Sequence, residues 1–244
     1  MAFDIASAVE GDAAEVADVH IKAMNDNALL HAQFPNAESL AFLRTWLVDD
    51  TIQHVRDGKK GVLVAKGERF ASFVKWEVRG GKTSETDLTA HAEDWPSCCR
   101  AEYLDLYADL TAKVRKEVMG DCSYYREFQI LDMVAGPSLR PWSPTLACLM
   151  WPVDVTYLCT TPSYAGKGAA SALLRRVQEL AAADSMAVVL ESTMNAVSFY
   201  QKLGFAIEKG LDMVLPKRGS NEPTELYEEK CMVWRPDGSE TRQG

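Results

Sequence analysis

No stretch of this 244-residue chain stays apolar for the length that a bilayer-spanning helix needs, so no membrane span is expected. Residues 1–9 contain Asp4 and lack both a basic start and a long apolar run, which argues against a secretory signal. The six cysteines (98, 99, 122, 148, 159, 231) include no Cys-x-x-Cys pair, and none stands at metal-ligand spacing from His20, His31, His54 or His91. Free thiols in a reducing compartment are expected, with no metal site. An excess of positive charge is missing too. The formal net charge is −9, whereas a nucleic-acid partner would demand a basic face against its phosphates. Such acidity favours cationic ligands instead.

What is present is enough apolar material for a well-filled core, since 47% of the residues are hydrophobic. A globular protein is expected, monomeric or homodimeric and cytoplasmic, with the nucleus left open. Residues 3–9 alternate apolar and polar and read as a strand. Residues 11–24 follow as a helix, with Ala14, Val16, Val19, His20 and Ala23 roughly on one side. A second helix over 37–56 carries Leu40, Leu43, Leu47, Thr51 and Val55 near helical spacing, and Gly58 stops it. Residues 61–65 and 70–78 are β-rich runs joined by Lys66-Gly67-Glu68, which predicts a hairpin.

Residues 79–152 interrupt this pattern. Pro96 marks a helix start, and Tyr103, Leu106, Tyr107, Leu110, Val114 and Val118 form an apolar stripe ending at Gly120, so one helix is expected at about 97–119. Residues 121–152 hold no sustained period, because Gly136-Pro137, Arg140-Pro141-Trp142-Ser143-Pro144 and Trp151-Pro152 break every candidate element. So long a tract inside one domain reads as a functional lid, a disordered insertion or sequence foreign to the fold.

Regular pattern resumes with the β-branched and aromatic run 153–160, which Pro162 ends. A strongly amphipathic helix over 168–183 has Leu173, Leu174, Val177, Leu180 and Ala181 at helical spacing. A short strand over 187–191, a short helix over 196–203 closed by Gly204, and strands over 205–208 and 227–234 complete the prediction.

The chemistry concentrates in the turn between strand 153–160 and helix 168–183. A strand that stops, small residues, and a helix that starts bring free N–H groups to one point, which suits a phosphate. Gly166, Gly168, Ala169 and Ala170 let a pyrophosphate approach the backbone, and Lys167 adds charge. Two other glycine-rich loops do not fit. A P-loop needs glycine at 161 and Ser or Thr after its lysine, where this chain has Thr161 and Gly168. A dinucleotide fingerprint needs a third glycine where Ser171 stands.

The stretch Ala165-Gly166-Lys167-Gly168-Ala169-Ala170, followed by Ser171-Ala172-Leu173-Leu174, resembles the Gln/Arg-x-x-Gly-x-Gly/Ala motif of the GNAT superfamily of acyl-CoA N-acyltransferases. Tyr200-Gln201-Lys202-Leu203-Gly204-Phe205 is similar to that family's second signature and lies downstream of the first, as in the family. Pro162-Ser163-Tyr164, Ala183-Asp184, Leu190-Glu191-Ser192-Thr193 and Lys75-Trp76 resemble a branch common in fungi. One departure is Ala165, where the family usually has Gln or Arg, so a side-chain contact is lost while the backbone donors remain.

The resemblance implies an α/β GNAT fold over 1–244 as a single domain. Its sheet would be mixed and mostly antiparallel, with two splayed parallel strands and flanking helices, and 79–152 would be an insertion between the third and fourth strands. It implies acetyl-CoA as cosubstrate, its pantetheine lying between the splayed strands against the backbone of Leu158, Cys159 and Thr160. Its pyrophosphate would lie on Ala165, Gly166, Lys167, Gly168, Ala169 and Ala170. Thr193 or Asn195 would hydrogen-bond the coenzyme, either position being equally suited to a turn or an N-cap. Tyr200 would be the general acid for the departing thiolate, or else a packing tyrosine. Asp154 would be the general base, or else a solvated carboxylate at a strand start. Cys159 is not expected to act as a nucleophile, because that strand position contributes backbone. The expected reaction is transfer of acetyl to a primary amine of a small molecule or peptide, by direct attack in a ternary complex. The rival reading is a non-catalytic module that binds acyl-CoA.

Overall fold

The computed structural model describes residues 3–78, 95–119 and 152–236. Of the predicted tract 121–152, all but its last residue lies outside the described residues. A seven-stranded sheet runs through the molecule. It is built from β1 (Asp4–Ser7), β2 (Lys60–Lys66), β3 (Phe70–Val78), β4 (Val153–Thr160), β5 (Val188–Thr193), β6 (Ala206–Pro216) and β7 (Pro223–Trp234). The spatial order is β1-β2-β3-β4-β5-β7-β6, and every neighbouring pair is antiparallel except β4 and β5. This is the mixed, mostly antiparallel sheet expected.

Helices cover both faces. On one face lie α1 (Ala13–Ala23), α2 (Ala28–Gln33), α3 (Ala37–Arg56) and α4 (Ala101–Met119), packed over β2 to β4 and over the β6 end. On the other lie α5 (Ala169–Ala183) and α6 (Val197–Lys202). Leu173, Leu174, Val177 and Ala181 of α5 are fully buried against β2, β3 and β4. Each leucine so placed contributes roughly 1.5–3 kcal/mol. The two faces follow from period-two alternation, which sends Leu190 and Met232 to the α5 side and Val189, Cys231 and Val233 to the α4 side.

Most predicted elements stand within a few residues of their expected limits, including the helix expected at about 97–119, which is α4. Two differences have clear causes. Helix α2 carries too few residues to show a period, and it is set by its N-cap, Asn27, whose Oδ1 accepts the Leu29 N–H at 2.8 Å. Strands β6 and β7 extend well beyond 205–208 and 227–234, where apolar Val214 and Leu226 are exposed among polar residues and blur the alternation that marks a strand. Leu211, Met213 and Leu215 mark the buried side of β6.

Candidate functional site

Strands β4 and β5 pair only at Val153–Val188 and Asp154–Val189, after which they part. The cause is visible in the β3–β4 register, where Trp76 faces Val155 and Lys75 faces Tyr157, leaving Thr156 as an extra residue. A bulge of this kind bends its strand and raises its twist, so β4 turns away while β5 stays paired with β7 through Thr193. The Thr161 N–H bonds Ala71 of β3 at 2.8 Å. Alternation along the strand therefore turns the peptide groups of Cys159 toward β3 and those of Leu158 and Thr160 toward the gap. The expectation of three backbone contacts thus narrows to Leu158 and Thr160. Ser72 Oγ adds a 2.7 Å bond to the Cys159 carbonyl and lies 2.8 Å from Thr160 Oγ1, which stiffens this edge.

From Thr160 the chain passes through a short turn, Pro162–Tyr164, into the loop that opens α5. The Ala165 N–H bonds Pro162 O and the Lys167 N–H bonds Tyr164 O. Gly166 and Gly168 adopt φ of 72° and 89°. A Cβ at either would meet nothing within 4 Å, so the backbone conformation, not crowding, requires glycine there. No side chain caps α5 and no acidic residue occupies its first turn. Its leading N–H groups thus point outward beside the exposed Ala165, Gly166, Lys167 and Gly168, with Ala169 buried and Ala170 half-buried. Lys167 Nζ lies 5.0 Å from the centre of the Tyr164 ring, which holds its charge near the loop.

Tyr200 enters from α6. Its ring is buried with Leu190, Phe205 and Met232 and meets Phe199 and Phe205 edge-on, with centroids 5.0 and 5.7 Å away. Burial raises its phenol above the usual range, and Cys159 of β4 and Glu229 of β7 act on it electrostatically in the same direction. The hydroxyl is therefore held in its protonated form. Cys159 is buried, and its thiol is pushed up to about 12, so it is not a ready nucleophile. At the end of β5, Thr193 Oγ1 donates to Asn195 Oδ1 at 2.6 Å, so both candidates for a coenzyme contact stand together at the wide end of the gap.

Asp154 differs from its expected surroundings. It is fully buried, and its Oδ2 accepts from Arg115 Nη1 of α4 at 2.6 Å. A solvated carboxylate at a strand start is thereby corrected. This side chain belongs to a buried ion pair, because α4 covers that end of β4, and the base role is not assigned to it. The same guanidinium grips Glu191 of β5 through Nε at 2.8 Å and through Nη2.

Sequence reasoning missed two further groups on this face. Glu229 of β7 is buried and accepts from Tyr107 Oη of α4 at 2.8 Å and from Tyr227 Oη at 2.5 Å, while Asn27 Nδ2 donates to Tyr227 Oη at 3.2 Å. Burial raises the Glu229 carboxyl, although both phenol hydrogen bonds pull it down. The second group is Lys75 of β3, fully buried, with Nζ 2.7 Å from Asp50 Oδ2 of α3. Its neighbours include His54, whose Nδ1 is 3.2 Å from Asp50 Oδ1. His20 of α1 stands beside Tyr157 in edge-on contact. The signal for Glu229 was a lone charge at an inward position of an alternating strand, and it becomes legible only once the full length of β7 is known.

Residues 139–207 match the family model described as acetyltransferase (GNAT) domain. No curated protein sequence matches the chain. Among solved structures, the chain is similar to the Drosophila melanogaster polyamine N-acetyltransferase that forms N-acetylagmatine (14% identity, TM-score 0.59, 96% of this chain and 100% of that one). It is also similar to a mosquito arylalkylamine N-acetyltransferase-like protein (12%, TM-score 0.58, 96% and 100%). A third is the PaiA N-acetyltransferase of Thermoplasma acidophilum in complex with coenzyme A (10%, TM-score 0.51, 96% and 99%). At these identities the likeness is one of fold. The mixed sheet, with its one parallel pair parting at β4 and β5, matches the fold of these structures. The family match spans the glycine loop and the tyrosine helix, and the described sheet shares the fold of these acetyltransferase structures.

Proposed function

We propose that this protein is an acetyl-CoA-dependent N-acetyltransferase acting on a primary amine of a small molecule or peptide. The observation that carries the reading is the continuous path from the gap between β4 and β5 to the uncapped start of α5. Pantetheine amides would extend the sheet on the free peptide groups of Leu158 and Thr160, much as a strand would. The pyrophosphate would take the N–H groups of Gly166, Gly168, Ala169 and Ala170, with Lys167 supplying charge. An N–H of β4 aimed at the thioester oxygen would stabilise the negative charge that forms there on attack. Tyr200 would then protonate the leaving thiolate, a task that a phenol held in its neutral form can perform. Thr193 and Asn195 would bond the coenzyme at the wide end of the gap.

Calorimetry with acetyl-CoA, run beside thiol release over a panel of primary amines, tests this. Saturable binding with turnover on at least one amine is expected. Binding without turnover on any amine would favour an acyl-CoA-binding module, a reading consistent with Ala165 standing where a polar side chain is usual. Absence of binding would end both readings.

A further inference from the structure

An amine reaches neutral solution as its ammonium, and it attacks a carbonyl only after losing a proton. The groups given roles so far leave that proton without a destination. Tyr200 is already protonated, Cys159 keeps its thiol proton, and Asp154 is engaged by Arg115. A carboxylate on the other face of the sheet from Tyr200 would meet the need.

Glu229 is so placed. It sits opposite Thr193, the last residue of β5, at the wide end of the gap. Its side chain is on the α4 face, whereas Tyr200 packs from the α5 face, and the two act on each other electrostatically. The carboxylate is 4% exposed, yet Asn27 and Tyr227 beside it are half-buried, so they form a rim between it and solvent. Each oxygen accepts one phenol hydrogen bond, and a carboxylate oxygen accepts two, so each keeps a free lone pair. One of the two phenols, Tyr107, comes from α4.

We propose that Glu229 is the proton acceptor for the incoming primary ammonium, held in place by Tyr107 of α4 and by Tyr227, and that α4 thereby completes the amine side of the active site. The inference rests on the N-acetyltransferase reading. The ammonium gives one proton to the Glu229 carboxylate, and the nitrogen lone pair forms the bond to the thioester carbon. When the tetrahedral adduct collapses, the carbon–sulfur bond breaks, its electron pair leaves on sulfur, and Tyr200 supplies the thiol proton. The remaining excess proton on nitrogen restores the tyrosine, and Glu229 releases its proton to solvent. The products are the amide, the free thiol and one proton.

The groups facing Glu229 set its titration. Burial and Glu191 of β5 raise it, and Tyr227, Tyr107 and Arg115 of α4 lower it. The acid limb of kcat/KM should accordingly lie above the ordinary carboxylate range. Removing a phenol donor should move that limb further up, because the charged form loses a hydrogen bond.

The test is the pH profile of the full chain with the best amine found for the wild type, for Glu229→Gln, Tyr107→Phe and Tyr227→Phe. Glu229→Gln is expected to lose about 100-fold in kcat/KM. Its acid limb should vanish, with acetyl-CoA affinity by calorimetry unchanged. Either phenylalanine variant should keep the limb and shift it to higher pH, a change that loss of packing alone would not produce. If Glu229→Gln fails to fold, the two phenylalanine shifts decide the matter. Wild-type turnover with unshifted limbs in both, or with a normal profile in Glu229→Gln, overturns the role of Glu229 and leaves the acetyltransferase reading standing. Wild-type enzyme that binds acetyl-CoA and turns over no amine overturns both.

Discussion

The role proposed for Tyr200, protonating a departing thiolate, requires that it hold a proton, and burial favours this by raising its phenol. The ring itself is fixed by Phe199 and Phe205, so deleting the hydroxyl leaves the packing of α6 intact. Tyr200→Phe is therefore expected to lower kcat by about 100-fold while leaving acetyl-CoA affinity within about 2-fold of wild type. Thiol release and calorimetry on the same preparation check the two halves of that statement. A parallel loss of affinity would show the tyrosine to be a binding or packing residue. Gly168 makes the opposite kind of contribution, through backbone alone. At φ of 89° an alanine is strained by about 1–2 kcal/mol even though its Cβ would meet nothing. Gly168→Ala should thus relax the turn, spread the N–H groups that open α5, and weaken acetyl-CoA roughly 10-fold by calorimetry, with a small fall in thermal midpoint.

Helix α4 is tied to the sheet at the level of elements by both packing and charge. It packs Val114 with Val189, Leu211, Cys231 and Val233, and it spans β4 and β5 through the single guanidinium of Arg115. Removing one side of a buried ion pair leaves its partner desolvated and uncompensated, which costs about 3–5 kcal/mol. Arg115→Met is expected to lose that much in urea unfolding, by exposing both Asp154 and Glu191 to the penalty. If the loss is under about 1 kcal/mol, the guanidinium is not what holds α4 down. The stripe of Tyr107, Leu110, Val114 and Val118 made this helix legible in the sequence, because helical spacing is a local property. The loop at 165–170 and the strand before it were legible for the same reason. The bulge at Thr156 was not, since an extra residue is defined only against β3. Nor were the partners of Asp154 and Glu229, which come from a helix far away in the sequence. A carboxylate at a strand start looks solvated until the element that covers it is known.

At the scale of the whole molecule, ionisable groups buried on the α1 and α4 face make stability depend on pH in separable ways. His20 is buried against Phe73 and Tyr157, its Nδ1 has no hydrogen-bond partner among the described residues, and burial, then Lys75, holds it down at about 3, below its ordinary 6.5. A depressed histidine contributes stability that is present above 6.5 and lost as pH falls from there through about 3. The loss amounts to about 5 kcal/mol at most over that window. For Asp50, burial opposes ionisation, but His54 and Lys75 outweigh it and bring the carboxyl to about 2, below 3.8, so its contribution disappears only at still lower pH. Glu229 has the opposite sign. Its raised carboxyl stabilises the protonated fold, and that contribution is lost as pH rises from 4.5 through the raised value. Between pH 6.5 and 4.5 the two effects oppose each other, so wild-type stability alone would conceal both. Urea midpoints measured across that interval for wild type, His20→Gln and Glu229→Gln separate them. The stability of His20→Gln relative to wild type should rise steadily as pH falls, because only the wild type pays to keep a buried imidazole neutral. That of Glu229→Gln should fall over the same interval, as the wild type regains what charging its carboxylate had cost. A flat difference for His20→Gln would mean that the imidazole is hydrated and titrates near 6.5, and the seal that α1 makes over β3 and β4 would then have to be a loose one.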